Sequence, residues 1–293
     1  MALAEADLFA EQRRLALRGV GIILISSVLF GAMAVCVRLA ARELPSTRIA
    51  WVRFTGSLLL LLVFARGTRL KPRPGNLLRV LQRALLGCAA ITLYFFAIEH
   101  IGAGLATLLH CTYPIPTAVL AVLVLGEPAS WRLLAAIAIN LLGILLVVAP
   151  GANLSGVDTV GVLSALAAST LAGGAVATAR HLRASEDASL ITIYFMGVGA
   201  VLTAPSLIGA FPAISPTTCI ALTGVVVTSA AGQWLLHHGL GFTSAVEGSL
   251  ACATSVITAA ALEAMFLGEH LGAQTLAGAV LMVVAVGLAA SRR

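Results

Sequence analysis

Charge is scarce in this chain: 10% of its 293 residues are Asp, Glu, Lys or Arg, and 60% are apolar, giving a mean hydropathy of +1.04. No water-soluble fold could cover that much apolar surface. Aromatics are few, at 5%, and the aspartates Asp7, Asp158 and Asp187 all stand outside the apolar runs or at their ends. The five cysteines, Cys36, Cys88, Cys111, Cys219 and Cys252, are scattered singly. None pairs at metal-ligand spacing, so they read as small packing residues and no metal or cofactor is expected. Equally absent are a Gly-x-Ser-x-Gly element, a His-Glu-x-x-His element and an aspartate pair at membrane depth, which speaks against an intramembrane enzyme. There is no P-loop, which speaks against direct use of ATP.

What is present is a succession of apolar runs of helix length. A helix needs roughly 20 apolar residues to cross the hydrocarbon, and there only helices and closed barrels satisfy their backbone groups. The runs are Gly19 to Val37, Ile49 to Phe64, Val80 to Ile98, Ala103 to Leu125, Leu133 to Ala149, Val157 to Ala179, Leu190 to Phe211, Thr217 to Leu236, Ser244 to Leu267 and Leu271 to Ala290. Short connections rich in Pro, Gly and Ser join them, as at Lys71-Pro72-Arg73-Pro74-Gly75. The expected fold is an all-α integral membrane protein of about ten spans, with a short cytoplasmic or interfacial lead-in at 1–18. Nothing is left over for a soluble catalytic domain.

The cations orient the chain, because Lys- and Arg-rich loops stay cytoplasmic. With the N-terminus inside, Arg13, Arg14, Arg18, Arg66, Arg69, Lys71, Arg73, Arg79, Arg83, Arg132, Arg180, Arg183, Arg292 and Arg293 fall on the inner side, against Arg38, Arg42, Arg48 and Arg53 on the outer. The net charge of +6 is therefore topological, and no nucleic-acid partner is implied. An inner-membrane, multi-pass protein with both termini cytoplasmic is expected.

The chain also repeats itself. Leu125-Gly126-Glu127 recurs as Leu267-Gly268-Glu269, an offset of 142 residues, and at that offset Leu108 meets Leu250, Thr112 meets Thr254, Ile115 meets Ile257, Gly31 meets Gly173 and Arg38 meets Arg180. Two five-span units, 19–150 and 151–293, explain this. Five being odd, the second unit enters the membrane inverted, the arrangement of secondary transporters whose halves exchange conformations. A channel would instead require a ring of like groups or a carbonyl filter in an oligomer. A duplicated chain carries its own axis, so a monomer suffices.

The residues that carry a family resemblance are Val28-Leu29-Phe30-Gly31-Ala32-Met33-Ala34-Val35-Cys36-Val37-Arg38, Arg53-Phe54, Tyr113-Pro114-Ile115-Pro116 and Leu125-Gly126-Glu127. In their order and duplication they resemble the ten-span EamA-type exporters of the drug/metabolite transporter superfamily, nearest its aromatic and neutral amino-acid exporter branch. Phe30 stands where that pattern has Trp, Arg38 where it has Lys, and Val256 at the position matching Pro114. The resemblance implies a central cavity lined by spans one, three, four, six, eight and nine, with spans five and ten peripheral, and export of small metabolites by alternating access. Amino acids are the first substrate class, another metabolite or a drug-like cation the alternative.

Polar groups at membrane depth are costly and tend to face a water-filled path. On the fourth span Thr107, His110, Tyr113 and Thr117 recur at helical spacing, beside a helix break expected at Pro114 and Pro116. His110 either lines the cavity or bonds a neighbouring helix. On the eighth span Ser229, Gln233 and His237 form an i, i+4, i+8 stripe, with Trp234 and His238 beside it. Gln233 supplies both a donor and an acceptor, as a zwitterion requires, and Trp234 a flat face. The histidines read as substrate contacts or as interfacial belt residues. Tyr94, Thr254 and Ser255 complete the expected binding set. Glu247 and His110 are the candidates for proton coupling, Glu247 reading otherwise as a solvated carboxylate at the inner mouth. Arg53 reads as a snorkelling structural residue ahead of a binding one, and Glu127 and Glu269 as structural.

Overall fold

The computed structural model describes residues 2–64, 67, 69–128, 130–148, 158–208, 213–267 and 272–290, with side chains for these except at 2–10, 99 and 102–104. Among them there is no strand, and the helices are α1 (Ala2–Ala40), α2 (Ser46–Phe64), α3 (Leu77–His110), α4 (Pro114–Leu125), α5 (Trp131–Val148), α6 (Thr159–Leu182), α7 (Ala188–Thr203), α8 (Pro216–Gly239), α9 (Ala245–Ala253), α10 (Ser255–Leu267) and α11 (Ala273–Ala290). They supply ten segments long and apolar enough to cross a membrane, from Glu11–Ala40 to Ala273–Ala290. Glu269, Arg66, Arg292 and Arg293 lie outside the described residues. The lead-in is not a separate piece, since residues 2–18 continue the helix of the first span.

α3 carries two spans. Tyr94 Oη lies 2.7 Å from Thr107 Oγ1 and the Tyr94 ring stacks on His110 at 4.5 Å, whereas a straight helix rising 1.5 Å per residue would separate each pair by about 20 Å or more. The chain therefore reverses between the third span, ending at Ile98, and the fourth, beginning at Leu105.

The fourth and ninth spans are both discontinuous, and at matching positions. α3 ends at His110 and α4 begins at Pro114, which takes the first helical turn, where a missing N–H costs nothing. The ninth span breaks between α9 and α10 at Thr254 although Val256 stands where Pro114 would be. The shared cause is a threonine: Thr112 Oγ1 donates to Leu109 O and Thr254 Oγ1 to Ala251 O, each at 2.7 Å, so in both copies a hydroxyl takes the carbonyl three residues back and competes with the helix ladder. Each break is held from the other half of the molecule. Ser27 on the first span donates to Ala251 O at 2.7 Å, and its repeat equivalent Ser169 on the sixth lies 2.9 Å from Thr112 Oγ1.

The packing obeys the same exchange. Span one packs on eight and nine as span six packs on three and four, while spans two and seven, four and nine, and five and ten meet their own counterparts. Small residues set the distances. A Cβ built on Gly31 would stand 2.8 Å from Ala259 N, and one on Gly173 would stand 2.8 Å from Thr117 N, residues again related by 142. Close approach of backbones at small residues is how membrane helices gain contact where lipid gives no hydrophobic drive. Spans five and ten cross in the same way at Gly143 and Gly278.

Two carboxylates tie connections together, one pairing on each face. Glu43 accepts from Ser215 N at 2.8 Å and Ser215 Oγ at 2.7 Å, and these bonds hold its carboxyl below the usual carboxylate range. Glu186 accepts from Arg73 N and Asn76 Nδ2, both at 2.7 Å. The first tie fixes the entry of α8 and the second that of α3, its repeat counterpart.

Candidate functional site

The polar stripe of α8 is buried and meets two arginines. Arg53 of α2 and Arg83 of α3 are each 4% exposed. Arg53 Nε donates to Ser229 Oγ at 2.8 Å, and Arg83 Nη2 lies 2.9 Å from His237 Nε2. A guanidinium has no acceptor, so His237 Nε2 must accept; its proton sits on Nδ1 and is donated to Thr192 Oγ1 at 2.7 Å. Gln233 Nε2 stands 3.3 Å from the same His237 Nε2. The Arg83 guanidinium lies over the Phe195 ring at 4.6 Å and Arg53 over Phe54 at 5.4 Å, the two rings meeting edge to face at 5.5 Å. Gly87 leaves the room that Arg83 occupies: a Cβ there would strike its Nη1.

Arg53 does not snorkel as expected, because its side chain turns toward α8. Of the two readings open for His237 the interfacial one falls, since the residue is wholly buried, and Arg83, within the third apolar run, turns inward to meet it. Neither arginine has a carboxylate partner, since the ion pair found among the described residues joins Arg38 to Glu263, at 3.0 Å. Arg83 Nε and Nη1 are buried with no hydrogen-bond partner at all. An unpaired cation inside a membrane protein is expensive and marks function.

A second group lies farther along α3. Tyr94 Oη bonds Thr107, the Tyr94 ring stacks on His110, and the His110 ring is 6.0 Å from that of Tyr113. Buried His110 Nδ1 has no partner. Tyr113 is 7% exposed and its hydroxyl donates to Ser249 O at 2.9 Å, joining the halves rather than offering a free donor. Tyr94 and Arg83 are eleven residues apart on one span, roughly 17 Å, so the expected binding residues form two stations along the third span and not one ring around a ligand.

The remaining candidates are placed as follows. Trp234 donates Nε1 to Ser189 Oγ at 3.0 Å and stacks on His238 at 5.1 Å. Thr254 is spent on the ninth-span break, and with Leu24, Val28 and Val286 it lines an apolar cavity of about 210 Å³. Ser255, half-buried, opens α10, and its carbonyl abuts Gly31. Glu247 is not solvated: at 2% exposure it closes the capping box of α9, accepting from Ser244 N and Thr243 Oγ1 while Ser244 Oγ accepts from Glu247 N. Glu127 accepts from Ala245 N at 3.2 Å and so caps α9 from the other half. Pro114 and Pro116 stand in the first turn of α4, just after the break.

Sequence reasoning missed Arg83 and Thr192 as site residues and ranked snorkelling above binding for Arg53. The only available signal was Arg53 and Arg83 lying inside or at the edge of apolar runs, and depth along a run does not reveal which way a side chain turns.

Inverted halves that cross at two broken helices, around buried polar side chains with no nucleophile–base pair among them, are the architecture of a membrane transporter rather than an enzyme. Similarity to known proteins agrees. The EamA-like transporter family matches residues 17–149 and again 159–291, and the chain belongs to that family. It is 29% identical over 273 residues to the pseudopaline exporter CntI of Pseudomonas aeruginosa, covering 91% of this chain and 94% of that one. An uncharacterized transporter of Helicobacter pylori is 28% identical over 186 residues, 62% of each chain. A solved crystal structure superposes with a TM-score of 0.76 over 92% of this chain and 96% of its own at 16% identity, a likeness of fold.

Proposed function

We propose that this transporter exports a small carboxylate-bearing metabolite of the amino-acid class from the cytoplasm, its termini lying inside, by exchange of conformation between its two halves. The observation that carries the reading is the pair of membrane-buried arginines without carboxylate partners. They, with Ser229 and Gln233, offer what a carboxylate seeks and repel a drug-like cation. The exporter named among its relatives, aligned over nearly its whole length, supports the direction. Protein reconstituted into liposomes with labelled amino acids and their methyl esters is expected to move the acids at least tenfold faster. Equal transport of esters, or preference for a lipophilic cation, would sink the reading.

Coupling belongs at His110 in this proposal, because Glu247 is committed to the cap of α9 while His110 keeps an unbonded ring nitrogen. Efflux driven by an imposed pH gradient should lose its pH dependence in His110→Ala and keep it in Glu247→Gln.

A further inference from the structure

The two arginines are not neighbours on one anchor. Arg53 bonds Ser229 and Arg83 reaches His237, and these α8 residues lie eight apart, about 12 Å along the helix axis. Phe54 and Phe195, both essentially unexposed, meet edge to face at 5.5 Å, each with one of the two guanidiniums over its ring. Gln233 lies midway on the same face, its amide at the edge of the Arg83–His237 pair. The polar groups that touch or flank the two cations are Ser229, Gln233, Thr192, Cys88 and a histidine whose Nε2 must stay unprotonated to accept from Arg83, and the one further charge acting on that histidine is another cation, Arg183. Two positive charges thus lie buried along one face of α8, with no carboxylate paired to either among the described residues.

We infer that the substrate carries two acidic groups, one for each arginine, separated by roughly the spacing of two helical turns. This rests on the export reading above and narrows it, away from the neutral amino acids toward amino-acid-like compounds with a second, distant carboxylate. A single carboxylate leaves one cation unpaired within the membrane; a dianion neutralises both, and the loaded compartment can then cross between its two orientations without dragging net charge through a low-dielectric interior. Specificity follows from the unmet donors, since a ligand too short to reach Arg83 leaves Nε and Nη1 as they are found, buried and unbonded.

The test uses the purified protein in detergent, with intrinsic tryptophan fluorescence and thermal shift as readouts. The probes are straight-chain dicarboxylates from butanedioate to decanedioate and the monocarboxylates of matched length. A dicarboxylate of intermediate length should bind at least tenfold tighter than its monocarboxylate. Arg83→Gln and Arg53→Gln, made separately, should each abolish that preference while monocarboxylate binding survives at the remaining arginine, and Arg83→Lys should restore part of it. Equal binding of mono- and dicarboxylates by the wild type overturns the inference and leaves the carboxylate-export reading standing. A dicarboxylate preference unmoved in both Gln variants also overturns it, by placing the second acid elsewhere. If no carboxylate binds while a cationic probe does, both the inference and the export reading fall.

Discussion

Arg83→Met should cut export at least a hundredfold while leaving the protein as abundant as the wild type and no less stable. The two halves of this expectation have separate physical origins. Removing one member of a buried charge pair costs about 3–5 kcal/mol because the other charge is left uncompensated, and in the substrate complex that other charge is the ligand's carboxylate. At 1.4 kcal/mol per factor of ten, that is two to three orders of magnitude in affinity. In the empty protein the sign reverses. Arg83 is 4% exposed, two of its nitrogens have no partner, and an apolar side chain of similar length suits the Phe195 face better than an unpaired cation. Function and stability therefore move in opposite directions, as they do where a site holds strain that activity needs. Arg83→Lys keeps the charge but not the planar fork, and should fall between. Labelled-substrate efflux at matched membrane abundance, with thermal unfolding in detergent, measures both. A variant that loses stability in step with export would make Arg83 a structural residue.

Valine at Gly31 and valine at Gly173 should destabilise the protein by similar amounts, about 1–3 kcal/mol or more each, through overpacking. At each position even a single added carbon meets a backbone nitrogen at 2.8 Å, Ala259 N in one case and Thr117 N in the other. Backbone cannot rotate aside as a side-chain tip can. The two crossings are related by the internal repeat, so the informative quantity is the equality of the losses. Thermal unfolding and yield of folded protein read it directly. A large loss at one glycine with none at the other would mean that the two helix crossings do not share one architecture. Gly21, with nothing within 4 Å of its Cβ position, is the control expected to change little.

Much of this molecule follows from one-dimensional pattern. Spans are set by hydropathy over roughly 20 residues, a property of contiguous sequence that lipid selects without reference to tertiary contacts. The inverted repeat is likewise legible, because duplication preserves spacing even where identity has drifted: Gly31 and Gly173, Thr112 and Thr254, and the two Leu-Gly-Glu elements stand at one offset. Glu127 was recognisable as structural from its place after the helix-ending Gly126, whose positive φ of 66° suits glycine.

Other features were decided only when the halves packed. The ninth span lacks a proline, yet it breaks, because Thr254 turns onto Ala251 O and Ser27 arrives from the first span, more than 220 residues away in sequence. Arg53 sits seven residues into its helix, a depth from which a side chain can snorkel; it does not, since that face of α2 abuts α8 and Ser229 is nearer than the surface. Arg83 and His237 are each unremarkable near the end of an apolar run and become a buried pair only because α3 and α8 bring them to 2.9 Å. Glu247 has the local signature of a capping box, Ser-x-x-Glu, but its burial and the cap that Glu127 adds at Ala245 N from the opposite half are not visible in that signature. Hydropathy and spacing are properties of neighbours along the chain and can be read there. The direction a polar side chain faces, and whether anything balances its charge, is a property of neighbours in space.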